Sequence, residues 1–178
     1  MGGPIGRMAA AALVAMAVAT GAMAQVPELT ERYRGDGWSV AYPAGWLVLV
    51  DDPLLLGNAE GMLATVQRGD DPPEGGIAVG VFPAAVLEAL GVPPANSVEG
   101  LLAAIAGQFN GPQGDAQPLA DWALPALAIT LSVPADGETW AIAAKTPTGD
   151  LLGLVVSTAD MAVVLPLVEA MVASFALE

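Results

Sequence analysis

Residues 127–157, LAITLSVPADGETWAIAAKTPTGDLLGLVVS, decide the fold, because this stretch alternates strand patterns with turn signals. From 127 to 133, large apolar side chains alternate with small or polar ones, which is the two-residue period of a strand. The Asp-Gly pair at 136–137 is a strong hairpin signal, and Pro-Thr-Gly-Asp at 147–150 is a second turn. The segments on either side of the second turn, 139–146 and 151–157, are therefore predicted to be strands. Hairpins join strands that run in opposite directions, so this stretch predicts an antiparallel sheet.

Two helices are predicted ahead of this stretch. The first runs from Pro83 to Gly91, since proline suits the first turn of a helix and glycine its end. The second is capped by Asn96 or by Ser97, and Glu99 lies three residues after Asn96, as a capping box requires. The apolar stripe of this second helix consists of Val98, Leu101, Leu102, Ile105 and Phe109.

The remaining elements are strands near the start of the chain and a helix at its end. Trp38, Val40 and Tyr42 alternate on one face of a predicted strand, which a turn at 43–45 follows. The last helix covers 161–175, where Pro166 is expected to start or kink it. The other predicted strands are 46–50, 62–68 and 77–82, with a short apolar segment at 54–56. This order predicts a single α+β domain with a mainly antiparallel sheet, spanning residues 25–178 after an exposed lead-in at 25–37.

The first 24 residues have the pattern of a secretory signal peptide. Arg7 supplies the positive charge, residues 8–20 are apolar, and Ala-Met-Ala at 22–24 is a small-x-small cleavage site. We therefore expect export to the periplasm or the extracellular space, with the mature protein beginning at Gln25. The alternative is an uncleaved N-terminal anchor, although the apolar run is shorter than the roughly 20 residues of a spanning helix.

The composition excludes several classes of function. The 178 residues include 5 Lys+Arg and 19 Asp+Glu, for a formal net charge of −14, with no His and no Cys. Nucleic acids and anionic lipids are bound by clustered Lys and Arg, so neither is an expected partner. A Ser-His-Asp triad, a cysteine nucleophile, a zinc finger and a His-ligated haem are excluded outright. No cofactor is predicted.

Two short motifs resemble those of a known superfamily. The run GWSVAYPAGW at 37–46 is similar to the opening hairpin of PsbP-like proteins, and MVASF at 171–175 is similar to the end of their closing helix. The chain is therefore identified as an exported bacterial member of the PsbP-like (PsbP/Mog/DcrB) superfamily, over about residues 38–175. The resemblance implies an α/β/α sandwich, a core position for Phe175, and no enzyme activity, because the group shares a scaffold without a common catalytic site.

Acidic residues provide the candidate sites that the residues themselves suggest. Asp70, Asp71 and Glu74 place three acids within five residues, and Ca²⁺ prefers such oxygen ligands. Their spacing matches no calcium loop, so a solvated acidic turn is the alternative and only a low-affinity Ca²⁺ site is a candidate. A pair of acids is also the machinery of glycoside hydrolysis. Lys145 ends a predicted strand and is expected to be solvated, so a serine-lysine dyad is not predicted.

The tryptophans bear on the same question, because an exposed indole is a platform for a sugar ring. Trp38, Trp46 and Trp140 lie in strand patterns and are expected in the core, which leaves Trp122 as the best candidate for an exposed aromatic. We therefore predict a non-catalytic binding or accessory module, whose partner is an envelope or extracellular protein or a small ligand. A carboxylate-based hydrolase is the alternative, and it requires two acids in one apolar cleft with aromatic lining.

Overall fold

The computed structural model describes most of the chain after the first 27 residues. The described ranges are 28–51, 53–63, 73, 75–89, 94–109, 112–132 and 137–178. The predicted signal peptide at 1–24 and the candidate Ca²⁺ ligands Asp70, Asp71 and Glu74 lie outside these ranges. Both therefore stay predictions.

Within these ranges the chain forms ten strands and three helices, besides the two helical residues 62–63. The strands are β1 Glu31–Arg34, β2 Trp38–Tyr42, β3 Leu47–Val50, β4 Leu54–Gly57, β5 Ile77–Pro83, β6 Pro112–Pro118, β7 Ala126–Leu131, β8 Glu138–Lys145, β9 Leu151–Thr158 and β10 Ala176–Leu177. The helices are α1 Ala84–Ala89, α2 Val98–Ala106 and α3 Met161–Ser174.

The strands form two antiparallel sheets. The larger sheet has seven strands in the order β3-β4-β5-β9-β8-β7-β6, and the smaller has three in the order β1-β2-β10. In the larger sheet β8 lies between β7 and β9, pairing Thr130 with Trp140 on one side and Lys145 with Leu151 on the other. This confirms the antiparallel sheet that the turn signals of 127–157 predict.

The two faces of the seven-stranded sheet have different coverings. On β8, Ile142 and Ala144 belong to one apolar cluster, while Ala141 and Ala143 belong to another, because successive side chains of a strand point to opposite faces. The first cluster includes α3 and the small sheet, and the second includes α1 and α2. We call them the α3 face and the α2 face.

Capping side chains mark the first turns of the two longer helices. Ser97 is the N-cap of α2, since its Oγ accepts a hydrogen bond from the backbone N–H of Gly100 at 3.1 Å. A hydrogen bond with its own backbone, and a second with the Ser97 side chain, hold the pKa of Glu99 below its usual value. Asp160 caps α3, whose first residue is Met161, so Pro166 lies inside this helix and does not start it.

Four regions differ from the sequence-based expectation. The lead-in at 25–37 contains β1, which pairs along its whole length with β2. Residues 43–45 form the expected turn. The strands on either side of it, β2 and β3, lie in different sheets, so among the described residues this turn leads from one sheet to the other and does not close a hairpin. Of the strand predicted at 62–68, only the first two residues are described, and they are helical. Strand β6 has no sequence pattern of a strand, because its PQGDAQP run is polar and contains two prolines.

Candidate binding cleft

A cleft of about 690 Å³ lies where the small sheet meets one end of the large sheet. Its floor includes Leu54 of β4 and Val81 of β5, which are direct partners across these two strands. One wall is α1, through Ala85 and Val86, and the other is the turn between β1 and β2. The volume is within the range of small-molecule sites, and its lining is mostly apolar with a few polar groups, as in such sites.

Three aromatic rings support the wall formed by the small sheet. Trp38 is 6% exposed and stacks on Phe175, with ring centroids 5.9 Å apart and an angle of 26° between the planes. The Tyr33 ring also contacts Trp38, with ring centroids 5.2 Å apart and an angle of 43° between the planes. Both separations are in the favourable range for aromatic pairs. Tyr33 and Trp38 line the cleft and Phe175 does not, so Phe175, the first residue after α3, supports the wall from behind.

A hydrogen bond ties this wall to the large sheet. The Tyr33 hydroxyl donates to Asp51, whose Oδ1 lies 2.8 Å away and whose backbone oxygen lies 3.0 Å away. Asp51 is located between β3 and β4, so this contact joins the two sheets across the mouth of the cleft. It also fixes the side chain of one of the two carboxylates that line the cleft.

The turn between β1 and β2 requires glycine at two positions. Gly35 packs against the Trp38 indole so closely that a Cβ atom there would lie 2.5 Å from Cε2 of the ring. Gly37 has a φ of +76°, a conformation that side-chain-bearing residues rarely adopt. Between them, Asp36 is exposed and lines the cleft. The backbone oxygen of Gly37 accepts a hydrogen bond from the backbone N–H of Glu178 at 2.9 Å, which attaches the chain's last residues to this turn.

The charged groups at the cleft are acidic. Among the described residues, Asp36 and Asp51 are the charged side chains that line it. Arg34, which is next to this turn in the sequence, forms an ion pair with Glu178. Arg32 donates hydrogen bonds to the Ser39 hydroxyl and to the backbone oxygen of Ser174. The described part of the cleft therefore has a negative potential.

A second, smaller cleft of about 440 Å³ contains Trp122. Trp122 is half-buried and packs against the α3-face core, so it is less exposed than the sequence suggests. Ala162 and Glu169 of α3 form the opposite side of this cleft, and one Glu169 oxygen accepts a hydrogen bond from the backbone N–H of Ala123 at 2.6 Å. That contact fixes the loop that carries Trp122 against α3.

The other residues considered from sequence lie apart from both clefts. Trp46, just before β3, and Trp140 of β8 pack against the α3-face core but are half-buried, so they lie less deeply than the core position expected from sequence. Lys145 is exposed at the end of β8, whereas Ser157 exchanges a hydrogen bond of 2.8 Å with Thr139 near the start of that strand. In the described ranges no group of three or more acids is placed to hold a metal ion. Nor does any helix in them have the length and apolarity needed to cross a bilayer.

Sequence reasoning missed the cleft, although one signal pointed to it. Asp36-Gly37 is an Asp-Gly pair, the same hairpin signal as the pair at 136–137, and it separates β1 from β2. The hairpin rule, applied to residues 36–37, predicts a strand before residue 35. It puts Tyr33 on the strand next to that of Trp38. The approach of Asp51 and α1 to this hairpin has no local signal, because it depends on how the two sheets pack.

Comparison with known proteins gives similarity to solved structures alone. No family model matches the chain, and no curated protein matches it. Among solved structures, the solution structure of cyanobacterial PsbP (CyanoP) from Synechocystis sp. PCC 6803 is similar, with a TM-score of 0.39 and 15% sequence identity. The match covers 83% of this chain and 92% of that chain. The fold described above rests on the strands and helices of this chain alone.

Proposed function

We propose that the protein is a non-catalytic binding module that holds a small ligand in the cleft between its two sheets. The observation that supports this proposal is the cleft itself, which combines an apolar floor, two aromatic side chains and two carboxylates. The Tyr33–Asp51 hydrogen bond and the stacked rings hold the walls in place, so the site is largely formed before a ligand enters.

The layer architecture, the superfamily and the export of the protein are part of the same proposal. We infer that the two helix-covered faces make up the α/β/α sandwich of PsbP-like proteins, and that the chain is an exported member of that superfamily. The signal-like pattern of residues 1–24 supports export to the periplasm or beyond. Intact mass of the exported protein tests this directly, because the expected form begins at Gln25, whereas an anchored form retains the apolar segment.

A carboxylate-based hydrolase is the second candidate, and one observation favours it. Asp36 and Asp51 line one apolar cleft together with aromatic side chains, which supplies the residue types that a glycosidase uses. Both aspartates are exposed, however, and the acid of such a pair is normally withdrawn from water. In addition, the Oδ1 atom of Asp51 accepts the Tyr33 hydrogen bond. These features favour binding over acid catalysis.

A pair of matched substitutions tests the binding proposal. Ala85→Trp puts an indole into the main cleft from an exposed position of α1, and Ala162→Trp does the same to the second cleft from an exposed position of α3. Native mass spectrometry of the protein purified from its own envelope should detect a small-molecule adduct on the wild type and on Ala162→Trp. The adduct should be absent from Ala85→Trp. An adduct that persists in Ala85→Trp would place the ligand elsewhere.

Two further variants test the hydrolase. If the wild type hydrolyses a panel of aryl glycosides and both Asp36→Asn and Asp51→Asn lose that activity, the protein is an enzyme and the first proposal is wrong.

A further inference from the structure

We infer that the cleft selects an organic cation, a ligand that joins an ammonium or guanidinium head to an apolar body. This inference rests on the proposed function, since it names the class of ligand that the same cleft takes. It is carried by the charge of the cleft's rim and by the exposed apolar side chains of its lining.

The rim is negative and lacks a compensating cation among the described residues. Asp36 lies on the turn between β1 and β2, and Asp51 lies on the turn between β3 and β4, so the two carboxylates come from different sheets. The hydroxyl of Tyr33 donates one hydrogen bond to Asp51, which leaves that aspartate's charge in place. An exposed carboxylate attracts a cation by a modest energy, and two carboxylates around one mouth act on the same ligand group.

Basic side chains close to the cleft are already engaged. Arg34 is paired with Glu178, and Arg32 donates its hydrogen bonds toward Ser39 and the end of α3. Neither guanidinium lines the cleft. A bound anion would therefore face two carboxylates without a partner for its own charge, on a protein whose net charge is −14.

The exposed part of the lining favours an apolar body. Leu54 and Val81 in the floor are almost fully buried, so the apolar surface open to a ligand is that of Ala85 and Val86 on α1 and of Leu177, which is 55% exposed. These side chains offer no hydrogen-bond donors or acceptors to the hydroxyl groups of a sugar. An alkyl or aryl group that displaces water from them gains the usual hydrophobic free energy, in proportion to the apolar area covered.

An isosteric series of probes tests the inference on the purified protein. Phenylbutylammonium, phenylbutanol and phenylbutanoate have nearly the same shape and differ in charge, so their dissociation constants at pH 7, followed by amide shifts in NMR spectra, isolate the electrostatic contribution. We expect the ammonium to bind most tightly, with the alcohol weaker by about three- to tenfold, as two weak charge pairs imply, and the carboxylate weaker still. The preference should shrink as NaCl rises from low to physiological ionic strength and beyond, because the two carboxylates are exposed.

Charge-neutralising variants assign the preference to the cleft. Asp36→Asn and Asp51→Asn should each weaken phenylbutylammonium binding by about two- to fivefold and leave phenylbutanol nearly unchanged. The Asp51→Asn side chain retains an oxygen that accepts the Tyr33 hydrogen bond, so the wall formed by the small sheet should stay in place. Asp121→Asn removes the same charge at an exposed position in the second cleft, and it should leave both affinities unchanged.

The outcomes separate this inference from the proposal on which it rests. If phenylbutanol or phenylbutanoate binds as tightly as the ammonium, and Ala85→Trp abolishes that binding, the cleft binds ligands but the cation preference is wrong. If Asp121→Asn weakens ammonium binding as much as the two cleft variants do, the preference comes from net charge and the inference is also wrong. If Ala85→Trp leaves the binding of all three probes unchanged, the cleft is not the site and both proposals fail.

Discussion

The two faces of the seven-stranded sheet are covered in different ways, and the cleft follows from that difference. On the α2 face, the short helices α1 and α2 cover a cluster of aliphatic residues with two phenylalanines at its margin. On the α3 face, one long helix and a separate three-stranded sheet share the covering, and the buried cluster includes Trp38 and Phe175. The small sheet covers only part of this face. The cleft lies at its margin, between the small sheet and α1, beside β4 and β5.

The α2 face therefore serves mainly stability, whereas the α3 face also shapes the cleft. A side chain removed from the α2-face cluster should affect unfolding alone, because none of the cluster's buried residues lines the cleft. A side chain removed from the α3 face near the aromatic row should affect both stability and ligand binding. The following three substitutions test this distinction.

Phe175→Ala should have the largest effect. The ring is 3% exposed and stacks on Trp38, so its removal leaves a cavity in the α3-face core. Truncation of a buried Phe typically costs about 3–5 kcal/mol in the free energy of unfolding, which urea denaturation measures. We also expect weaker binding of phenylbutylammonium, because the indole that lines the cleft loses its support. A loss below about 1 kcal/mol would mean that the chain after α3 is frayed in solution.

Ile105→Ala is the matching change on the α2 face. Ile105 is 2% exposed, and its Cδ1 packs so closely over Gly153 of β9 that a Cβ on the glycine would lie 2.3 Å away. We expect a loss of about 2–5 kcal/mol, since α2 contacts the sheet at this point. Phenylbutylammonium binding to the folded protein should not change. If the affinity falls as much as in Phe175→Ala, the two faces are coupled and the distinction between them is wrong.

Ser97→Ala should have the smallest effect of the three. It removes the hydroxyl that accepts the Gly100 N–H hydrogen bond at the start of α2, and loss of such a cap costs about 1 kcal/mol. Asn96→Ala is the matched control, because Asn96 is the neighbouring cap candidate and is exposed outside the helix. Its unfolding midpoint should stay close to that of the wild type. Equal losses in the two variants would mean that both side chains share the cap in solution.

Most of the large sheet could be predicted from the sequence, because its signals are local. The alternation in β7, the turn at 147–150 and the run of β9 each concern residues within one strand or turn. The helices follow from spacing and caps for the same reason. Strand β6 could not be predicted, since its PQGDAQP sequence has no strand propensity and forms at the sheet edge only because β7 offers hydrogen bonds to it.

The sequence by itself determined the chemistry that the protein excludes and the residues that fill its core. A chain without His or Cys and with a net charge of −14 has these limits in any fold, and Phe175 is apolar and aromatic wherever it lies. Only the tertiary structure decided that β2 and β3 enter different sheets after the turn at 43–45, and that Asp36 and Asp51 face one cleft. The physical reason is that these pairings are long-range. They depend on how apolar faces from distant segments pack together, which no local pattern in the sequence records.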